Sequence, residues 1–223
     1  MMAHPKVAVV ILNWNGKHHL EQFLPSVTRS VYPGMEIIVG DNASSDGSVS
    51  FLETHYPQVR IIRNRENYGF AGGYNAVLSQ VEADYFVLLN SDVEVTPDWI
   101  GPVVRLMEAD PRIAAAQPKL LSFQNRTCFE YAGAGGGFLD VLGYPFCRGR
   151  VFDTVEQDHG QYDDDTEVFW ATGAALFIKS SCWKEAGGLD ADFFAHMEEI
   201  DLCWRLKNLG YRIMYCGRST VFH

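Results

Sequence analysis

The chain has 223 residues, 47% hydrophobic and 21% charged, the balance of an ordinary globular protein and not of a fibrous or disordered one. Its 28 acids against 18 bases leave a net charge of −10, which argues against a nucleic-acid partner and obliges any diphosphate ligand to find a divalent cation or local donors. The five cysteines, Cys128, Cys147, Cys182, Cys203 and Cys216, are odd in number and form no C-x-x-C pair, so reduced thiols of a cytoplasmic protein are expected, with neither a disulfide framework nor a zinc site.

The first apolar run, residues 7–12, is too short to cross a membrane and reads as a buried strand. Leu20, Phe23, Leu24 and Val27 recur at helical spacing within 17–30. A strand over 36–40, a helix over 48–55, a strand over 59–64 and a helix over 70–81 follow. Residues 85–89 are apolar throughout, as a strand covered on both faces should be. This alternation implies a mostly parallel sheet with right-handed crossovers. Further on, a helix over 97–109 and an alanine-rich strand over 113–117 are expected. Residues 122–166 read as irregular, with Gly133 to Gly137 a loop and not a dinucleotide fingerprint. A strand over 168–178 broken at Gly173, a helix over 180–186 ending at Gly187-Gly188, a helix over 198–209 and a strand over 212–215 complete the pattern. No internal repeat or linker divides the chain.

In open α/β sheets ligands bind beyond the carboxyl ends of the strands. Four successive strands end here in Asn or Asp: Asn13-Trp14-Asn15-Gly16, Asp41-Asn42, Asn64 leading to Asn67, and Asn90-Ser91-Asp92. Each alone would make an adequate turn, but four on one rim suggest a site. Asp92 follows the most apolar strand directly and is the sharpest candidate for a hard cation, Mg²⁺ or Mn²⁺. Glu198, Asp201 and Arg205 share one helix face, Asp201 and Arg205 form an i, i+4 ion pair, and Glu199 points away from them. Acids at a helix N-terminus also complement its dipole with no chemistry at all.

These residues carry a resemblance that covers nearly the whole chain. The opening strand and Asn13-Trp14-Asn15-Gly16, the Asp41-Asn42-Ala43-Ser44-Ser45-Asp46 turn, Asn67-Tyr68-Gly69-Phe70-Ala71-Gly72-Gly73-Tyr74-Asn75, Asn90-Ser91-Asp92, and Gly187-Gly188-Leu189-Asp190 through Arg205 stand in the order of the family 2 inverting glycosyltransferases. The chain resembles the rhamnosyltransferase-like members in particular. The resemblance implies one GT-A domain over 1–223. Its central sheet is Rossmann-like, mostly parallel and flanked by helices, with a smaller acceptor-side sheet. Residues 1–92 would bind the nucleotide sugar and 93–223 would face the acceptor.

The implied reaction moves a sugar from a UDP- or dTDP-sugar to a hydroxyl of a glycan or lipid-linked acceptor, in cell-surface polysaccharide synthesis. Glu199 takes the place of the general base. Asn13, Asn15, Asp41, Asn67, Gly72, Asn75, Asn90 and Ser91 take those of the donor contacts, with Asp41 on the nucleobase. Glu198, Trp170 and Gly173 fall on the acceptor side, and Asp92 and His223 take the places of the metal ligands for Mn²⁺ or Mg²⁺.

Two departures stand out. Asn90 replaces the first acid of the D-x-D motif, which weakens the metal site, and Glu199 stands where Asp is commoner. Relatives also continue past His223, so a truncated piece is expected, with any membrane-associating element outside these residues. Two rivals remain open. A sugar-1-phosphate nucleotidyltransferase would want a Gly-rich loop with Arg and Lys, which residues 13–17 lack. A sugar-nucleotide-binding module without turnover is suggested by Asn90.

Overall fold

The computed structural model describes residues 4–193 and 196–223. Alternating apolar runs and amphipathic helices build the first half: β1 (Val7–Asn13), α1 (Lys17–Thr28), β2 (Met35–Asp41), α2 (Ser48–His55), β3 (Arg60–Arg63), α3 (Gly69–Leu78) and β4 (Tyr85–Leu89). The second half adds β5 (Glu94–Val95), α4 (Ile100–Ala109), β6 (Ile113–Leu121), β7 (Gly137–Leu139), β8 (Pro145–Cys147), β9 (Arg150–Val151), β10 (Thr154–Val155), β11 (Asp165–Val168), β12 (Ala175–Lys179), α5 (Ser180–Ala186), α6 (Glu198–Asn208) and β13 (Arg212–Phe222).

The main sheet runs β11-β13-β6-β12-β4-β1-β2-β3, with β5 added on β13. Strands β1, β2, β3, β4, β6 and β13 share one direction, and β5, β11 and β12 oppose them. The sheet is therefore mostly parallel, as the alternation predicts. Successive residues of each strand serve opposite faces. On one face Val7, Val9 and Ile11 pack with Leu20, Leu24, Leu52, Trp99 and Val103, which places α1, α2 and α4 there. On the other, Ala8 and Val10 pack with Tyr74, Val77, Trp183, Leu202 and Leu206, so α3, α5 and α6 cover that side. Every residue of β4 is buried. The five cysteines are buried and free.

Three expectations need correction. The single strand over 168–178 is two strands in different places: β11 lies at the sheet edge on β13, and β12 lies between β6 and β4. The link between them is fixed by Gln117, fully buried, whose side chain accepts from Thr172 N at 2.9 Å and donates to Gly133 O at 2.8 Å. The irregular stretch 122–166 holds two small hairpins, β7–β8 and β9–β10, too short for any alternation to show. The last strand, expected over 212–215, runs on to Phe222 through an irregularity between Cys216 and Thr220.

The long loop between β10 and β11 is tied to the sheet by a buried cation. Lys119 of β6 is 4% exposed and its Nζ lies 2.8 Å from Asp158, with Asp163 also bonded. Removing one member of such a cluster strands the others. Lys119→Ala is expected to cost about 1–3 kcal/mol in urea unfolding, discounted because Asp163 is exposed. Lys119→Met, which keeps the bulk, should lose nearly as much if charge is the cause.

Candidate active site

The carboxyl ends of β1 and β2 lie side by side, Asn13 opposite Asp41. Asn13, 1% exposed, donates from Nδ2 to Ser44 Oγ at 3.0 Å and to Asp41 Oδ1 at 3.3 Å. Asp41 Oδ2 accepts from Ser44 N at 3.1 Å. Asn15 accepts from Ser45 N at 2.7 Å, in a left-handed backbone conformation with φ of 51°. Asn13, Asn15 and Asp41 thus meet as one polar shelf, and the 41–46 turn is built around them. Asn13 Oδ1 is buried with no partner, and a Cβ on Gly16 would stand 2.7 Å from it, which accounts for glycine there.

A second network joins the ends of β2 and β3 to the start of α3. Asn42 donates to Asn67 Oδ1 at 3.0 Å and to Gly69 O at 2.9 Å, while Asn64 donates to Asn42 Oδ1 at 2.8 Å. Gly73 lets α3 approach this network, since a Cβ there would sit 2.8 Å from both Asn42 Nδ2 and Leu12. A Cβ on Gly72, the neighbouring glycine of the motif, would stand 3.1 Å from the Cβ of Tyr68. The amide of Asn75 bonds Leu189 at both ends, 2.7 Å to the carbonyl and 3.0 Å from the N–H. These bonds pin the segment before α6 to α3.

Above these networks opens a cavity of 380 Å³ walled by Trp14, Asn67, Phe70, Asn90, Ser91 and Asp92. Sequence reasoning placed Asn67, Asn90, Ser91 and Asp92 here but overlooked Trp14, Phe70 and the bracing Asn42. Trp14, exposed at the tip of β1, was the available signal: an apolar ring left in solvent beside a polar rim.

Asp92 and His223 come together although they lie far apart in the sequence. Asp92 Oδ1 stands 3.3 Å from His223 Nε2, and Glu130 Oε1 lies 3.8 Å behind the ring at Nδ1. The hydrogen bond from His223 holds the Asp92 carboxyl below its ordinary range. Burial alone would lower the His223 pKa, but the bond to Asp92 and the charges of Asp92 and Glu130 outweigh it and raise the value. Burial lifts Glu130. His223 is fixed through its main chain, its N donating to Leu121 O and its O accepting from Phe123 N, both at 2.9 Å.

An oxygen and an imidazole nitrogen on one partly exposed rim are a donor set for a divalent cation that draws its other ligands from phosphate. Among the described residues no group of three His, Cys, Asp or Glu could hold a metal unaided. Asn90 supplies an amide where a second carboxylate would complete one.

A cavity of 290 Å³ adjoins the first and shares Phe70 and Asn90 with it. Its far wall is Gly173, His196, Glu198 and Glu199, with His223 on its rim. Gly173 backs Glu199, since a Cβ there would lie 3.9 Å from its Cβ and Cδ. Burial raises the pKa of Glu199, helped by the charge of Glu198, and burial raises that of Glu198 too. Each has a buried oxygen, Oε2, without a hydrogen-bond partner among the described residues. The two preceding residues, His196 and Met197, are both left-handed, with φ of 74° and 76°. Such strain in non-glycine residues gathers at functional sites.

Asp201, as expected, is committed to Arg205 at 2.7 Å, and Arg205 Nη2 also donates to Gly188 O at 2.8 Å. A third cavity of 180 Å³ again includes Glu199 and His196, with Trp170, Arg150 and Phe146 opposite. Trp170 and Gly173 therefore both flank Glu199, and Glu198 lies beside it.

The chain was compared with known proteins. An N-acetylglucosaminyl-diphospho-decaprenol L-rhamnosyltransferase of Mycobacterium tuberculosis is 26% identical over 96% of this chain and 75% of its own length. A pre-mycofactocin glycosyltransferase of the same organism is 25% identical over 99% of this chain and 43% of its own. Among solved structures, GalNAc-T7 with UDP, GalNAc and Mn²⁺ superposes with a TM-score of 0.78 at 15% identity, over 100% of this chain and 44% of that one. The mannosyltransferase PcManGT of Pyrobaculum calidifontis with GDP-Man and Mn²⁺ gives 0.70 at 17%, over 100% and 57%. The chain thus spans about half of these two structures. Their likeness establishes the GT-A fold. The profile of glycosyl transferase family 2 matches residues 8–133, more than half of the sequence, and the chain belongs to that family.

Proposed function

We propose that the chain is an inverting glycosyltransferase that moves a sugar from a UDP- or dTDP-sugar to a hydroxyl of a glycan or lipid-linked acceptor. The observation that carries this reading is the continuity of the three cavities. The one holding Asn67, Ser91 and Asp92 shares walls with the one holding Glu199, which shares Glu199 with the one holding Trp170. Donor, base and acceptor then stand in line. The relative named for L-rhamnosyl transfer and a diphospho-decaprenol supports a lipid-linked acceptor and a place in cell-surface polysaccharide synthesis.

Asp41, braced by Asn13 and Ser44, offers a carboxylate acceptor to the N3–H of uracil or thymine. Trp14 offers a ring face, and Asn67, Asn90 and Ser91 offer polar groups to the sugar and diphosphate. Asp92 and His223 would hold Mn²⁺ or Mg²⁺, which when bound offsets charge growing on the leaving diphosphate. Glu199 takes the proton from the acceptor hydroxyl as that oxygen attacks the anomeric carbon, with its basicity raised by burial. A single displacement inverts the centre. One observation favours a second reading, a binding module without turnover: Asn90 in place of a carboxylate thins the metal site.

Glu199→Gln separates these readings. Turnover should fall by about 10²–10⁴ with donor affinity unchanged. A carboxyl with a raised folded-state pKa loses stabilisation as pH rises through that value, so at neutral pH its ionised form is a cost. The same substitution should therefore raise the Tm while abolishing activity. In the wild type the acid limb of kcat/KM should lie above the ordinary carboxylate range. Near-native turnover in Glu199→Gln would remove the residue from the mechanism.

The metal is tested by calorimetric titration of uridine, thymidine and adenosine diphosphates with and without Mn²⁺. The first two are expected to bind more tightly than the third, and Asp92→Ala should lose the Mn²⁺-dependent part with its fold intact. Equal affinities for all three nucleotides, or for both variants in Mn²⁺, would contradict the assignment.

A further inference from the structure

The hairpin β7–β8 carries apolar side chains where a globular surface seldom does. Val141 is 101% exposed and Leu142 78%, with Tyr144 and Phe146 exposed beside them. The turn is built to present them. Asp140, the one charged residue of 137–147, is turned onto the amides of Leu142 and Tyr144 at 2.8 and 2.9 Å. Gly143 at the tip takes a φ of 85°, and a Cβ there would meet nothing within 4 Å, so the tip stands clear of the body. Its base is firm: Phe138 and Phe146 stack at 5.6 Å, and Trp170 donates from Nε1 to Phe138 O at 2.9 Å. Folding gains nothing from Val141 and Leu142 in solvent, and clustered exposed apolar groups mark an interaction surface.

We propose that this hairpin tip inserts into the surface of a lipid bilayer and sets the acceptor cavity at the membrane. Two observations select a bilayer over a second copy of the chain. The chain carries a net charge of −10, so two copies repel each other, whereas a zwitterionic bilayer has no net charge to repel the hairpin, whose one carboxylate is held on its own amides. The hairpin is also continuous with the cavity of Trp170 and Glu199, because Pro145 and Phe146 line that cavity. With Val141 and Leu142 in the acyl boundary and Tyr144 at headgroup level, the mouth of the cavity would open at the lipid surface. This placement rests on the reading of that cavity as the acceptor side. It moves membrane attachment inside the chain, where the sequence suggested only elements outside it.

The test is flotation of the whole chain with phosphatidylcholine vesicles, comparing the wild type with Val141→Ser/Leu142→Ser. Each side chain removed should lower the partition roughly tenfold. Added salt should leave wild-type binding unchanged, since no ion pairs are made. Both positions are exposed, so the variant should keep the wild-type Tm and uridine diphosphate affinity. As a second measurement, Leu142→Trp should show a blue-shifted emission when vesicles are added. Wild-type protein that stays in the aqueous layer, or a double variant that floats equally well, overturns the proposal. So does a wild-type dimer in sedimentation velocity that the double variant dissociates without any flotation. Loss of nucleotide binding by the wild type would sink the site reading, whereas flotation reads the hairpin alone.

Discussion

Strand β4 is the constraint on which the remainder depends. It is buried along its whole length, paired in parallel with β1 and antiparallel with β12. The first pairing brings Asn90, Ser91 and Asp92 level with the polar ends of β1 and β2. The second joins the first half of the chain to the strands that follow. Asn90 N donates to Ala174 O at 3.0 Å, so the rim of β4 is tied to the segment that backs Glu199. A shift of one residue in β4 would reverse every side chain on it and move Asp92 away from His223. The apolar composition of this strand thus has a chemical consequence: it fixes where the carboxylate can be.

The region around Glu199 shows the opposite economy. Two adjacent acids with raised pKa values, buried oxygens without partners and a pair of left-handed residues all oppose folding. They are held by strong neighbours, the Arg205 bonds to Asp201 and Gly188 and the Asn75 bonds to Leu189. A fold that tolerates such features at one place, in walls shared with a ligand-sized cavity, concentrates its costs where chemistry needs them.

Much of this was legible in the sequence, for identifiable reasons. Strands such as β1 and β4 are short apolar runs with polar ends, and α1 and α6 have clear helical periodicity, so their type and their rim follow from pattern alone. Asp201 and Arg205 were readable as a pair because i, i+4 spacing is a local rule. What failed was non-local. Nothing in residues 168–178 says that the chain leaves one sheet position and enters another; the cause is Gln117, 55 residues from Thr172. That Asn75 bonds Leu189, 114 residues away, is equally absent from the motif it shares with Asn67. Glu130 sits in a patternless loop and gave no signal, and the hairpin tip was hidden in a stretch that reads as irregular.

The roles proposed for the polar rim, for Asp92 with His223 and for Glu199 require that the sugar be displaced once, by an acceptor oxygen that Glu199 deprotonates. The most direct measurement is proton NMR of the anomeric centre during early turnover of a nucleotide sugar in Mn²⁺. The first product is expected to have an anomeric configuration opposite to that of the donor. A first product with the donor's configuration retained would contradict it.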